Sequence, residues 1–128
     1  MPRILIADDS RVQVHLFSAY LAAKGFTVAV AVDALQAWMS ALRQPPDAIV
    51  LDINMPAGSG IDVLRKLGMS IKTQQIPVVI VSGADDPETE RMARELGAAE
   101  FLLKPVAPAQ LHAILARLLA MGEASTAP

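Results

Sequence analysis

Four places along the chain put a polar group directly after an apolar run. Asp8-Asp9 follow Ile4-Leu5-Ile6-Ala7, and Asp52 follows Ala48-Ile49-Val50-Leu51. Ser82 follows Val78-Val79-Ile80-Val81, and Lys104 follows Phe101-Leu102-Leu103. A short apolar run bounded by turn formers reads as a strand buried on both faces. Each polar group then stands at the C-terminal end of a strand, the edge where open parallel sheets hold their ligands. Three carboxylates, a hydroxyl and an ammonium would meet there. Three carboxylates in one crevice raise one another's pKa, and a divalent cation relieves the repulsion. Oxygen ligands without His or Cys favour a hard ion such as Mg²⁺. A carboxylate beside Mg²⁺ and a lysine has the chemistry of a phosphoryl acceptor. On its own, Asp52 reads equally well as a cap for the turn Pro56-Ala57-Gly58-Ser59-Gly60.

The elements that must position these groups follow from periodicity. Strands are expected over residues 3–7, 26–31, 48–52, 76–82 and 100–103. Between them, helical spacing predicts helices over residues 11–24, from a cap at Asp33 to Leu42, and over 61–69. A further helix opens at Asp85-Asp86-Pro87-Glu88, with proline in the first turn and acids at the positive end, and stops near Gly97. A last helix starts at Pro108. Along the first helix Val12, Leu16, Tyr20 and Ala23 recur at the helical period, and Trp38 and Met39 of the second are expected in the core. Strict strand–helix alternation implies a parallel sheet with helices on both faces, in one domain over residues 1–121. Residues 122–128 read as a flexible tail or the start of a linker.

Composition narrows the function. The chain has 128 residues, 53% of them hydrophobic, with mean hydropathy +0.40, enough for a full core. One Trp, one Tyr and three Phe make that core aliphatic. A net charge of -2 without a Lys/Arg cluster argues against direct nucleic-acid binding. The absence of cysteine excludes thiol chemistry. The first apolar run is too short for a signal peptide or a membrane span, so a cytoplasmic protein without a membrane contact is expected.

These residues resemble the receiver domain of two-component response regulators across residues 3 to 121. The resemblance rests on Asp8-Asp9, Asp52-Ile53-Asn54-Met55-Pro56 with Gly60 after it, Ser82, and Phe101 with Lys104-Pro105, all in order and each at a strand end. It implies a flavodoxin-like (βα)5 fold with strand order 2-1-3-4-5. It further implies Asp52 as the phosphoacceptor, served by a phosphohistidine on a sensor histidine kinase or phosphotransfer protein. Asp9, Asp52 and the Asn54 backbone carbonyl would hold Mg²⁺ directly and Asp8 through a water. Lys104 would pair with phosphate oxygens across a cis Lys104-Pro105 peptide. Ser82 and Phe101 would form a switch read out on the fourth helix, fifth strand and fifth helix, where an output target or a homodimer would dock. Phe101 lacks the hydroxyl of the Tyr common at this position, so its coupling is expected to be steric. The domain would catalyse only its own phosphorylation and dephosphorylation.

Other readings exist by residue type. Ser82 also suits a turn cap, Phe101 a core aromatic and Asp85-Asp86 a helix cap. His15 and His112 sit in amphipathic helices, where a partly exposed structural role is expected. A phosphohydrolase of haloacid-dehalogenase type would need Asp-x-Asp after the first strand, where Asp8-Asp9-Ser10 stands. A flavin binder would need a Ser/Thr/Gly-rich phosphate cradle in place of Asp8-Asp9. A phosphorylation-independent interaction module of the same fold is the remaining alternative.

Overall fold

The computed structural model describes residues 1–126. Strand β1 (Arg3–Ala7) leads into helix α1 (Arg11–Ala23), and β2 (Thr27–Ala31) into α2 (Ala34–Arg43). Next come β3 (Ala48–Asp52) and α3 (Gly60–Gly68), β4 (Val78–Ser82) and α4 (Pro87–Glu95), then β5 (Glu100–Leu103) and α5 (Pro108–Thr126). The five strands form one parallel sheet in the order β2-β1-β3-β4-β5. This is the flavodoxin-like (βα)5 fold. The helix α5 extends into the stretch read as a tail, and residues 127 and 128 of that stretch lie outside the described residues.

The three central strands are apolar on both faces because helices cover both. Leu5, Ile49, Leu51 and Ile80 point into one cluster, under α2, α3 and α4. Ile4, Ile6, Val50 and Val79 alternate with them into the other, under α1 and α5. Side-chain caps start the helices: Ser10, Asp33, Ser59 and Asp86 each accept a backbone N–H from their helix's first turn.

Two helices bury different faces from those expected. On α1, Val12 and Leu16 are 72% and 50% exposed, while Phe17 and Leu21 are buried. The helix is apolar around much of its circumference, so the sheet selects the stripe with the best-fitting aromatic. On α2, Ala34, Ala37 and Ala41 face the sheet, Met39 is exposed, and Trp38 is only partly buried against the core. Small side chains let the helix approach closely, which turns the bulky stripe outward.

Two strands start later than expected. β2 begins at Thr27 because Phe26 turns into the core, edge-on to the His112 ring with centroids 5.5 Å apart. β4 begins at Val78, since Pro77 offers only its carbonyl, which accepts the Ile49 N–H at 3.0 Å. A small antiparallel ribbon, Asn54–Met55 against Gly58–Ser59, fills the β3–α3 connection. Its turn has Pro56 followed by Ala57 at φ 61°, the pattern of a type II turn with alanine where glycine is usual.

Candidate functional site

Register decides which side chains meet. Ala7 pairs with Leu51, so Asp8 and Asp52 stand level on neighbouring strands. Ser82 pairs with Leu103, which puts Lys104 beside the end of β4, its N–H bonded to the Ser82 carbonyl at 2.8 Å. Asp8, Asp9 and Asp52 each bring a carboxylate oxygen into a group lying within 4.8 Å of one another. The Lys104 Nζ lies 3.2 Å from Asp52 and 3.8 Å from Asp8. Asp8, Asp52 and Ser82 are buried, Asp9 and Asn54 exposed, and Lys104 lies between.

The backbone holds the two buried carboxylates. Asp8 Oδ1 accepts the Ser10 N–H at 2.9 Å, and Asp52 Oδ1 accepts the Asn54 N–H at 3.2 Å. Each is an acid bonding its own chain two residues on, as Asx turns do. Burial pushes the Asp8 carboxyl above the ordinary 3.8, and the facing Asp52 adds to the rise. The Ser10 N–H and Lys104 oppose it in part. A carboxyl that resists ionisation, among oxygen donors alone, marks a place where a hard divalent cation fits.

Gly60 closes the floor of the site. A Cβ there would fall 2.4 Å from the Asp52 carbonyl oxygen and 2.8 Å from Ile53 Cα. Its N–H donates to the Ile53 carbonyl at 2.8 Å, so α3 begins directly against the strand end that carries Asp52. The Ser82 hydroxyl is engaged with its own loop: it donates to the Ala84 carbonyl at 3.1 Å and accepts the Ala84 N–H at 3.2 Å. Phe101 is buried in the cluster beneath α2, α3 and α4. The Lys104-Pro105 peptide is cis.

Residues 4–116 match the family "Response regulator receiver domain". The chain belongs to that family. The receiver domain is 39% identical over 111 residues to "Response regulator PleD" of Caulobacter vibrioides, covering 87% of this chain and 24% of that protein. It is 34% identical over 106 residues to "Protein PilH" of Pseudomonas aeruginosa, covering 83% of this chain and 88% of that one. The chain thus spans about a quarter of the first relative's length. Among solved structures, the receiver domain of sensor histidine kinase PA1611 from Pseudomonas aeruginosa superposes with a TM-score of 0.85. It is 27% identical over 93% of this chain and 98% of its own, and holds a magnesium ion in its active site cleft.

Receiver domains are signalling modules that bind Mg²⁺ in an acidic pocket and interact with histidine kinases or phosphotransfer proteins. The cluster of Asp8, Asp9 and Asp52 fits the phosphoacceptor site. Of the residues singled out by sequence, Asp8, Asp9, Asp52 and Lys104 come together, with Asn54 bonded to Asp52 through its backbone. His112 lies in a partly buried aromatic cluster with Tyr20 and Phe26, and His15 is exposed on α1. Sequence reasoning missed the Ser10 and Asn54 N–H groups on the carboxylates. Their only signal is a turn-forming residue two places after an aspartate. Among the described residues, no helix is long and apolar enough to cross a membrane.

Proposed function

We propose that Asp52 accepts a phosphoryl group from a phosphohistidine on a sensor histidine kinase or phosphotransfer protein. A carboxylate oxygen of Asp52 attacks phosphorus as the P–N bond to the histidine breaks, giving an aspartyl phosphate. Water later hydrolyses that acyl phosphate and restores the carboxylate. The observation that carries this reading is the Lys104 ammonium 3.2 Å from Asp52, inside a ring of two further carboxylates. A cation fixed beside an acceptor oxygen stabilises charge spreading over the transferring group without reorganising when it arrives.

Asp9, Asp52 and the Asn54 carbonyl would hold Mg²⁺, with Asp8 acting through a bound water. Bound Mg²⁺ supplies further neutralisation of the phosphoryl oxygens. The chain's own residues do the rest. The Asn54 N–H orients the Asp52 carboxylate, and the Ser10 N–H orients that of Asp8. The exposed Val12 and Leu16 of α1, beside the site, offer an apolar surface on which a helical phosphodonor would seat.

Ser82 is the group proposed to sense the phosphate. Its hydroxyl would leave the Ala84 carbonyl and donate to a phosphoryl oxygen. Phe101, with no hydroxyl, would respond through packing alone. The change would emerge on the surface of α4, β5 and α5, where Leu103 is 43% exposed and Arg117 ties α5 to Glu100 of β5 at 2.8 Å. An output target or a second copy of the domain would bind there. The test is Mg²⁺-dependent uptake of phosphate from a phosphohistidine donor or a small acyl phosphate. Wild type should be labelled and Asp52→Asn should not; equal labelling overturns the assignment.

A further inference from the structure

The face of α2 that points away from the sheet carries exposed apolar bulk. Leu35 and Met39 are 55% and 52% exposed, and Trp38 is partly exposed between them. Just past α3, Met69 is 79% exposed. A cleft of about 360 Å³ between the two helices is lined by Leu35, Lys66 and Met69 among others. A second of about 300 Å³ is lined by Trp38, Lys66, Met69 and Ser70. Lys66 and Met69 line both, so the two clefts adjoin as one groove. It lies on the opposite face of the sheet from α1 and α5.

The charge at the groove is one-sided. Asp62 and Arg65, which also line it, pair with each other at 3.1 Å. Lys66 has no carboxylate partner among the described residues. With Asp62 and Arg65 paired, Lys66 leaves the lining net positive by one charge. A trough between two helices, edged by Leu35, Trp38 and Met69, suits an amphipathic helix laid along it. One unpaired cation is too few for a nucleic-acid backbone.

We propose that the α2–α3 groove docks one amphipathic helix of a partner protein whose apolar stripe is flanked by acidic residues. The docking is separate from phosphoryl transfer at Asp52. Leu35, Trp38 and Met69 receive the stripe, and Lys66 receives an acid.

Trp38 is the one tryptophan of the chain, so its emission reports on this groove. The probe is a synthetic helical peptide with leucine at i, i+3, i+4 and i+7 and glutamate on both flanks, titrated into the full chain. A saturable blue shift is expected, with a version carrying lysine flanks binding roughly tenfold more weakly or worse. Lys66→Glu should reverse that preference. Met69→Glu should lose the shift while circular dichroism and phosphate uptake at Asp52 stay as in wild type. Equal binding of both peptides, or no shift, overturns the proposal. So does a stronger response to anionic phospholipid vesicles than to the acidic peptide, or a dimer in sedimentation that Met69→Glu dissociates.

Discussion

The Lys104 ammonium sits 3.2 Å from the Asp52 carboxylate and 3.8 Å from Asp8, so one cation bridges the ends of two strands from the end of a third. Replacing it with Gln keeps length and polarity but removes the charge. Phosphate uptake by Lys104→Gln from a small acyl phosphate should fall by about 10², the scale for losing one preorganised stabilising group. Phosphate-affinity gel electrophoresis over time measures it. A rate within twofold of wild type would remove Lys104 from the proposed chemistry.

Asp8 makes stability depend on pH. Its pKa is raised in the fold, chiefly by burial and then by Asp52, so the folded state holds its proton more tightly than the unfolded state does. That contribution is complete below the unfolded value and is lost as pH rises through the folded one. Asp8→Asn keeps an acceptor for the Ser10 N–H and removes the charge. Without divalent cation at neutral pH, it should melt a few degrees above wild type. The gap should close on acidification to about pH 3, where both states of the wild type carry the proton. Adding Mg²⁺ should raise the wild-type midpoint more than that of the variant. A variant that melts lower than wild type in metal-free neutral buffer would contradict this account.

Gly60 is required by space and not by dihedral freedom. Its missing Cβ would collide with the Asp52 carbonyl and Ile53 Cα, both backbone and unable to yield. Gly60→Ala should destabilise the domain by roughly 3 kcal/mol. It should also lower phosphate uptake, because the strand end bearing Asp52 must shift. Chemical denaturation gives the first quantity and labelling the second. Wild-type values for both would mean that α3 can move aside freely.

Ala57 holds a left-handed φ of 61° in the ribbon turn. A non-glycine residue there costs about 1 kcal/mol, against a smaller entropic cost for glycine in the unfolded chain. Ala57→Gly should therefore be neutral to stabilising, by up to about 0.5 kcal/mol, with phosphate uptake unchanged. Clear destabilisation in denaturant would show that the alanine methyl packs usefully against α2.

Much of the site was legible because apolar runs end abruptly at charges. Ile4 to Ala7 before Asp8 and Ala48 to Leu51 before Asp52 each state both a strand and the group at its end. What could not be read was which helical stripe faces inward. Val12 and Leu16 fit the helical period as well as Phe17 and Leu21 do, and only the sheet chooses between them. On α2 the rule that bulk goes inside fails, because alanines permit closer packing than Leu35 or Met39 would. The ribbon at Asn54–Ser59 went unseen since two-residue strands are too short to show a period. The Ser10 and Asn54 amides leave only a faint trace, a turn-forming residue two places after an aspartate.

Asp9, Asp52 and Lys104 come from the beginning, the middle and the far part of the chain, and only the completed strand pairing brings them to one rim. A phosphoryl group on Asp52, with Lys104 pairing its oxygens and a metal held by Asp9, would therefore act as a reversible crosslink between distant segments. Its occupancy should be readable in slowed amide exchange deep in the sheet, far from any atom the ligand touches.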